Sequence, residues 1–217
     1  LLCVTKGNLT SAVYETGLKY KELNNKPEIQ ILIEVEEENM VLFFDKEVIT
    51  MILDNLISNA LKYTEKGYIR IRAEWVTENG IRYAQLSVED TGYGIGQDAL
   101  AHIFERYYQE SGEHQASGTG IGLALVKNLV KLHEGDIQVK SLPEIGTTFY
   151  LRLPAGNTYP QALHGEDIHT DKQDGKEEEP IEKQEVADKD KNARPIILVV
   201  EDNADIRDYI ADSFTDL

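Results

Sequence analysis

The sequence predicts an α/β fold, because segments with the two-residue period of β-strands alternate with segments with the roughly 3.6-residue period of α-helices. Residues 29–36, IQILIEVE, alternate apolar and polar side chains as a strand with one buried face does. An amphipathic helix follows from Asp45, its expected N-cap, to Tyr63. These elements predict a domain in which strands and helices are mixed.

A hairpin is the second feature that supports this fold class. Segments 68–75, YIRIRAEW, and 83–89, YAQLSVE, both have the composition of strands. They flank Asn79-Gly80, a pair that favours a tight turn because both residue types tolerate positive φ. The remaining predicted elements are a short helix from Asp98, an amphipathic helix at 121–133 and two closing strands at 136–141 and 147–154.

Composition narrows the classes of function. The chain has 217 residues, 41% of them hydrophobic, and a formal net charge of -17. This charge argues against nucleic acid and anionic membrane surfaces as partners, although a metal ion and a few local cations can still neutralise a phosphate ligand. The single cysteine, Cys3, allows no internal disulfide, and no apolar run is long enough to cross a membrane. The first residues lack an initiator methionine and a signal peptide, which indicates an interior fragment.

The character of the sequence changes after Pro154. Acidic residues and lysines dominate up to residue 193 and apolar residues are few, so this stretch cannot offset the entropy cost of ordering. We therefore expect a flexible linker. At Arg194 the pattern of a buried strand, an acidic turn and a helix begins, PIILVVEDNADIRDYIADSF. A single β-α unit cannot bury its own face, so this piece is predicted to begin a further domain.

Two asparagines on the first predicted helix are candidates for a binding site. Asn55 and Asn59 lie four residues apart on one face, within or beside the apolar arc. Burying an unpaired amide costs about 1–3 kcal/mol, so their presence in a helix calls for a reason. A neutral amide oxygen can coordinate Mg²⁺ without repelling phosphates as a carboxylate would, and Lys62 adds a positive charge nearby. The alternative is that both amides hydrogen-bond backbone groups in a core.

A glycine-rich turn follows the second strand of the hairpin. In DTGYGIG, Asp90 comes directly after the strand and precedes Gly92, Gly94 and Gly96. A carboxylate in this position can accept a hydrogen bond from an exocyclic amine, and the glycines let a flat ring approach the backbone. The alternative is a tight loop with a solvated aspartate.

A second glycine turn, SGTGIGL at 117–123, opens directly into the predicted helix 121–133. Backbone N–H groups at a helix N-terminus, together with the helix dipole, favour an anion such as phosphate. The lysine of a Walker loop is missing, and so is the GxGxxG of a dinucleotide site after a first strand. An ordinary glycine-rich helix start is the alternative.

The order of these motifs resembles that of one protein family. An Asn-x-x-x-Asn-Ala helix, Asp-x-Gly-x-Gly after a hairpin, IFERYYQ at 103–109 and Gly-x-Gly-x-Gly-Leu match the N, G1, F and G2 boxes of sensor histidine kinases. GTTF at 146–149 matches a further turn of that family. The resemblance covers residues 29–154 and implies the ATP-binding catalytic domain of the gyrase/Hsp90/histidine-kinase/MutL superfamily. The implied fold is a Bergerat-type α/β sandwich, a mixed β-sheet with helices packed on one face.

The resemblance also implies ATP and Mg²⁺ as cofactors and gives roles to individual residues. Asn59 would hold Mg²⁺, Asp90 would accept a hydrogen bond from the adenine amine, and a lid at about 104–118 would cover the nucleotide. Gln109 stands where many members carry an arginine that touches the terminal phosphate. The residues implied in catalysis are Asn55, Asn59 and Lys62. The residues implied to contact the nucleotide are Asn55, Asn59, Lys62, Tyr63, Asp90, Gly92, Gly94, Ile95, Gly96, Gly118, Thr119, Gly120, Gly122, Leu123 and Thr147.

The C-terminal piece resembles the start of a response-regulator receiver domain. In that family an acidic pair after the first strand binds Mg²⁺, and Glu201 and Asp202 match the pair. The implied domains are a connector from a dimerisation and phosphoacceptor domain at 1–28, the ATP-binding domain at 29–155, an acidic flexible linker at 156–193 and a truncated receiver unit at 194–217.

A kinase followed by a receiver domain resembles a hybrid two-component sensor. Such a protein would transfer the ATP γ-phosphate to a histidine of an upstream domain, for relay to a receiver aspartate. Its partners would be that domain, the receiver and a second copy of the chain, with no nucleic acid. It would be anchored in the inner membrane with these domains on the cytoplasmic side. None of the five histidines has the sequence context of a phosphoacceptor, so the acceptor is expected outside this chain.

Two rival functions remain open. Hydrolytic ATPases of the same superfamily usually place a glutamate, as general base, one helical turn before the Mg²⁺-binding asparagine. Here that position is Asn55, which is a poor proton acceptor. The other alternative is a nucleotide-binding regulatory module without catalytic activity, which Gln109 would favour. A phosphotransfer assay with a supplied histidine domain distinguishes these functions.

Overall fold

The computed structural model describes residues 2–109 and 119–164 of the chain. Most of the predicted linker and the whole predicted receiver unit lie outside these residues. No helix within the two described ranges has both the length and the apolar character needed to cross a membrane. In chain order, the elements are β1 (Cys3–Asn8), α1 (Leu9–Leu23), β2 (Ile29–Val35), β3 (Val41–Phe44), α2 (Lys46–Tyr63), β4 (Gly67–Glu78), β5 (Ile81–Asp90), α3 (Gln97–Leu100), α4 (Gly122–Leu132), β6 (Asp136–Leu142), β7 (Gly146–Pro154) and β8 (Leu163–His164).

Five strands form the main sheet, in the order β2-β4-β5-β7-β6. β2 and β4 are parallel, whereas the other neighbouring pairs are antiparallel, so the sheet is mixed, as expected. The predicted hairpin joins β4 to β5, with Asn79 at a φ of 52° and Gly80 at a φ of 79°. Both residues adopt the left-handed conformation that this kind of two-residue turn requires.

Helices cover one face of this sheet. Along β4, Ile69 and Ile71 are fully buried, in one hydrophobic core with the inward side chains of α1, α2 and α4. The intervening residues Arg70 and Arg72 point to the other face, where both form ion pairs with Glu34 of β2. This is the predicted α/β sandwich with helices on one face.

α2 forms where the sequence predicts it, because its apolar residues recur with helical spacing. Its N-cap is Asp45, whose Oδ1 accepts a hydrogen bond from the backbone N–H of Val48 at 3.1 Å. The burial of one face fixes the rotation of the helix, and with it the positions of Asn55 and Asn59. The buried residues are Ile49, Ile52, Leu53, Leu56, Ile57 and Ala60.

The first 28 residues were predicted to be a connector, but part of them is folded into the domain. β1 pairs antiparallel with β3, and Leu9 and Val13 of α1 are fully buried in the same core as α2. Gly17 of α1 packs so closely against the sheet that an added Cβ would lie 2.6 Å from Cδ1 of Ile33. The folded domain therefore begins before residue 29.

A second, three-stranded sheet has the order β3-β1-β8. Residues 3–4 of β1 pair in parallel with residues 163–164 of β8. Tyr159, which precedes β8, is 3% exposed and packs in one apolar cluster with Val4. Residues 156–164, which were predicted to belong to the linker, are thus part of the folded domain.

The segment after the first glycine turn is less helical than predicted. The helix expected from Asp98 is confined to α3, and residues 101–109 continue as turns. Ile103 is 9% exposed and belongs to the core, while the ring of Phe104 lies edge-on to Phe149 of β7 at 6.3 Å between centroids. Apolar contacts therefore hold this segment against the sheet without a regular helix.

His133 follows α4 and connects it to the start of α2. Its ring is fully buried: Nε2 accepts a hydrogen bond from the backbone N–H of Asp45 at 3.2 Å, and Nδ1 donates to the carbonyl of Leu129 at 3.1 Å. The hydroxyl of Tyr159 donates to the carbonyl of His133 at 3.0 Å, and the two rings meet edge to face. Burial lowers the pKa of His133, which agrees with a neutral ring that uses one nitrogen as donor and the other as acceptor.

Candidate functional site

Asp90 ends β5 and is almost fully buried, with 8% of its surface exposed. Its Oδ1 accepts a hydrogen bond from the N–H of Gly92 at 2.9 Å. Burial raises the pKa of Asp90 to about 6, while hydrogen bonds from the backbone N–H groups of Gly92 and Thr147 limit the rise. Because a carboxylate can accept several hydrogen bonds, Asp90 keeps the capacity to bind an amine of a ligand.

The raised pKa of Asp90 predicts a change of stability with pH. Since its folded-state pKa lies above the ordinary value of 3.8, the charged carboxylate destabilises the fold above pH 6, and this cost disappears as the pH falls through about 6 towards 4. We expect Asp90→Asn, which keeps an acceptor oxygen without the charge, to raise the free energy of unfolding by about 2 kcal/mol at pH 8. Urea unfolding of both proteins at pH 8 and pH 4 measures this. An equal effect at the two pH values would contradict the shift.

Protein backbone surrounds the turn after Asp90. A Cβ on Gly92 would collide with the carbonyl oxygen of Tyr63, at the end of α2. Gly94 has a φ of 70°, and its Cα faces the carbonyl oxygen of Leu142, at the end of β6. The sequence predicts that these glycines allow a flat ring to approach the backbone. The structure adds a second reason, because the turn is packed against α2 at Gly92 and against β6 at Gly94, with no room for a side chain at either position.

Thr147 and Ser141 lie beside Asp90 in one row of the sheet. In the strand ladders Asp90 is opposite Thr147, and Thr147 is opposite Ser141, so the three side chains share the face that carries the helices. Ser141 Oγ is 2.9 Å from Thr147 Oγ1 and accepts a hydrogen bond from the N–H of Ile95 at 2.8 Å. Gly96, the next residue, is the N-cap of α3. Ser141 was not among the predicted site residues.

Asn55 and Asn59 are half-buried on α2. The Nδ2 of Asn55 donates to the carbonyl of Met51 at 2.9 Å. Its Oδ1 faces Gly122 at the start of α4, where an added Cβ would lie 2.8 Å from that oxygen. The Asn59 amide makes no hydrogen bond with any residue in the described ranges. The two amides thus differ: Asn55 lies at a contact between helices, and Asn59 keeps its oxygen for another partner.

Lys62 and Tyr63 form the last turn of α2. The Nζ of Lys62 lies 4.9 Å from the centroid of the Tyr63 ring. The carbonyl of Tyr63 accepts a hydrogen bond from the N–H of Tyr93 at 3.2 Å, within the turn that follows Asp90. This bond ties the end of the asparagine-bearing helix to the turn beside the buried carboxylate.

The second glycine turn leads into α4. Gly120 has a φ of 68°, and its carbonyl accepts a hydrogen bond from the N–H of Tyr107 at 2.9 Å. Among the described residues no side chain caps the first turn of α4, so its backbone N–H groups keep donor capacity for an anion. Of the candidate residues in this turn, the structure describes Thr119, Gly120, Gly122 and Leu123, whereas Gly118 lies outside the described residues.

The donor groups present fit a magnesium ion that is held mainly by a ligand. The described residues contain no cluster of three acidic, histidine or cysteine side chains that could bind a metal ion by itself. Mg²⁺ at a nucleotide site takes few oxygens from protein and the rest from phosphates and water, and the free amide oxygen of Asn59 suits that role. Glu201 and Asp202, the predicted metal ligands of the receiver unit, lie outside the described residues.

Comparison with known sequences identifies a family. The model for histidine kinase-, DNA gyrase B- and HSP90-like ATPases matches residues 44–157, more than half of the chain. The autoinducer 2 sensor kinase/phosphatase LuxQ of Vibrio harveyi is 41% identical over 140 residues, which are 62% of this chain and 16% of LuxQ. The sensor histidine kinase WalK of Bacillus subtilis is 33% identical over 136 residues, 61% of this chain and 22% of WalK. The chain thus spans about a fifth of the length of these relatives.

Solved structures lead to the same family. Full-length ShkA in complex with AMPPNP matches with a TM-score of 0.61 and 27% identity, over 71% of this chain and 31% of ShkA. The catalytic domain of the histidine kinase ThkA matches with a TM-score of 0.60 and 25% identity, over 70% of this chain and 97% of that domain. The sheet with helices on one face is therefore the fold of these domains. The chain belongs to the family of histidine kinase-, DNA gyrase B- and HSP90-like ATPases, and its described domain is a catalytic domain of the histidine kinase type.

Proposed function

We propose that this chain binds ATP together with Mg²⁺ and transfers the γ-phosphate to a histidine on another domain, as a sensor histidine kinase does. The observation that carries the proposal is the buried carboxylate of Asp90, which lies in one row with Thr147 and beside the end of α2. In this position it accepts a hydrogen bond from the adenine amine, and burial strengthens that bond by excluding competing water.

The groups for the phosphates lie between α2 and α4. The contact between Gly122 and Asn55 brings the N-terminus of α4 next to the asparagine-bearing face of α2. The uncapped N–H groups of α4 bind the phosphates, and Lys62 adds positive charge from the end of α2. Asn59 holds Mg²⁺, which when bound neutralises phosphate charge and polarises the terminal phosphoryl group.

The site favours transfer to a protein side chain over hydrolysis. Asn55 occupies the position one helical turn before Asn59; its Nδ2 donates to the carbonyl of Met51, and its Oδ1 faces Gly122. An amide oxygen does not take a proton from water near neutral pH, so this position supplies no general base. A histidine imidazole is a nucleophile on its own and needs no such base.

ATP binding is tested first. Asp90→Ala is expected to weaken the affinity for ATP about 10- to 100-fold, because a hydrogen bond to a charged group contributes about 1.5–3 kcal/mol. Calorimetric titration of the wild type, Asp90→Ala and Asp136→Ala measures the effect. Asp136→Ala removes an exposed carboxylate at the start of β6 and should bind like the wild type. Equal affinities of the wild type and Asp90→Ala would remove Asp90 from the site.

Phosphotransfer is tested with radiolabelled ATP and a separately supplied histidine-containing dimerisation domain of the same protein. Acid-labile, alkali-stable label should appear on that domain and not on this chain. Release of free phosphate without labelling would indicate a hydrolytic ATPase. ATP binding with neither product would indicate a regulatory module, the alternative that Gln109 favours.

We further propose the setting that the resemblance implies. The partners are an upstream dimerisation and phosphoacceptor domain, a receiver domain whose acidic pair is Glu201 and Asp202, and a second copy of the chain. The protein is anchored in the inner membrane, with this domain on the cytoplasmic side, and binds no nucleic acid. Support comes from relatives that are named sensor kinases and are about five times longer than the matched segment.

A further inference from the structure

The hydroxyl of Ser141 is buried beside the candidate site. No role in the site was predicted for this residue. We propose that Ser141 is a positioning residue for purine binding: its hydroxyl holds Thr147 and the loop at Ile95 in place beside Asp90, and acts on the ligand through them. This inference rests on the proposed function, because it concerns how the same site recognises the base of ATP.

Three contacts place Ser141 at the junction of separate parts of the site. The N–H of Ile95, in the turn after Asp90, donates to Ser141 Oγ at 2.8 Å. The same oxygen lies 3.0 Å from the carbonyl oxygen of Gly146 and 2.9 Å from Thr147 Oγ1, both at the start of β7. One side chain therefore connects β6, β7 and the glycine turn.

The position of Ser141 in the same row as Asp90 explains how its hydrogen bonds can affect ligand binding. Ser141, Thr147 and Asp90 occupy directly opposite positions on β6, β7 and β5, so their side chains project side by side towards the helices. Ser141 is 8% exposed and lies at the outer end of the row, separated from Asp90 by Thr147. A change at Ser141 is therefore transmitted to the carboxylate side of the row through the Thr147 hydroxyl.

The single proton of the Ser141 hydroxyl determines which hydrogen bonds Thr147 can make. A serine hydroxyl has one proton and two acceptor positions, and the N–H of Ile95 takes one acceptor position. If Ser141 donates to Thr147, the Thr147 proton is free for a ligand. If Ser141 donates to the carbonyl of Gly146, Thr147 donates to Ser141 and offers only an acceptor. Ser141 thus sets whether the row presents a donor or an acceptor next to the Asp90 carboxylate.

The test separates ligand affinity from the rate of transfer. Ser141→Ala is expected to weaken ATP affinity about tenfold and to leave the phosphotransfer rate at saturating ATP within about twofold of the wild type. Ser141→Thr keeps the hydroxyl and should restore affinity. In a Thr147→Val background, the loss caused by Ser141→Ala should shrink to about threefold or less, because the two hydroxyls act together. Ser87→Ala, which removes a buried hydroxyl from the opposite face of β5, is the matched control and should bind like the wild type.

The outcomes distinguish this inference from the proposed function. If the wild type binds no ATP, both fail. If the wild type binds and Asp90→Ala weakens binding, but Ser141→Ala binds like the wild type, the positioning role is overturned and the function stands. A Ser141→Ala loss of full size in the Thr147→Val background, or a lower transfer rate at unchanged affinity, would also overturn it.

Discussion

Asn59→Ala is expected to slow phosphotransfer to the supplied histidine domain by about 100-fold or more, while the affinity for ADP without metal changes less than about threefold. The Asn59 amide makes no hydrogen bond with the described residues, so alanine removes the oxygen proposed to bind the metal without leaving another group unpaired. The groups proposed to recognise the base, Asp90 and Thr147, lie on the sheet and should be unaffected. Transfer of radiolabel at saturating ATP gives the rate, and calorimetry with ADP and a chelator gives the affinity.

Two further variants sharpen this experiment. Ser58→Ala changes an exposed neighbour on the same helix and should behave as the wild type in both measurements. Asn59→Asp keeps a hard oxygen but adds a negative charge that repels phosphates, so its rate should fall between those of the wild type and Asn59→Ala. An unchanged transfer rate in Asn59→Ala, or a loss of ADP affinity as large as the loss of rate, would refute the metal-binding role.

His133→Ala is expected to lower the free energy of unfolding by about 3 kcal/mol at pH 7.5. The substitution leaves a cavity where a fully buried ring was and removes the acceptor of the Asp45 backbone N–H. It also removes the edge-to-face contact with Tyr159. Denaturant unfolding at equilibrium measures the change. His102→Ala, which removes an exposed ring paired with Glu105, is the matched control and should change the free energy by about 0.5 kcal/mol or less.

The same histidine predicts a dependence on pH. Burial lowers the pKa of His133, so the unfolded chain binds its proton more readily than the folded one. The stability that the neutral ring contributes is present above the ordinary pKa of 6.5 and is lost as the pH falls through the folded-state pKa. The difference between the wild type and His133→Ala should therefore shrink at acid pH. The pKa of Asp90 is shifted in the opposite direction, so its effect on stability has the opposite pH dependence. Each pH effect must therefore be measured against the variant of that residue. A constant difference would contradict the role of the neutral ring.

The elements that could be predicted are those that a short, contiguous stretch of sequence specifies by itself. Apolar residues at helical spacing after the N-cap Asp45 predict α2, and Asn79-Gly80 predicts the β4–β5 hairpin. Asp90 and its glycines form a contiguous string, so their juxtaposition needs no knowledge of the sheet. Each motif of the resemblance is likewise a short contiguous string, so the order of the motifs along the chain was sufficient to indicate the family.

The missed elements bury residues that do not look like core residues. α1 packs through Thr10, Thr16 and Gly17 as well as through apolar side chains, which weakens the helical pattern of its sequence. β1 has alternating residues of mixed polarity, and of these Val4 is fully buried. Both elements are stabilised by contacts with distant parts of the chain, such as that between Gly17 and Ile33, which no local pattern reveals.

Ser141 was missed for a related reason. Its position in the row depends on the register of β6 against β7 and of β7 against β5. Register is a property of paired strands and not of one segment, since a shift by one residue would turn Ser141 to the other face. Sequence reasoning could therefore propose candidate residues that belong to recognisable motifs, but not Ser141, whose place beside them depends on strand pairing.

The pairing of residues 3–4 with residues 163–164 has a consequence for how this domain can be used by evolution. Neighbouring strands lie about 4.8 Å apart, so the points where the chain enters and leaves the domain are adjacent. A domain of this kind can be placed inside a longer polypeptide without stretching or rerouting the segments on either side. Adjacent ends therefore make this domain suited to serve as one module of a larger protein, and the matched segment is about a fifth of the length of LuxQ and WalK.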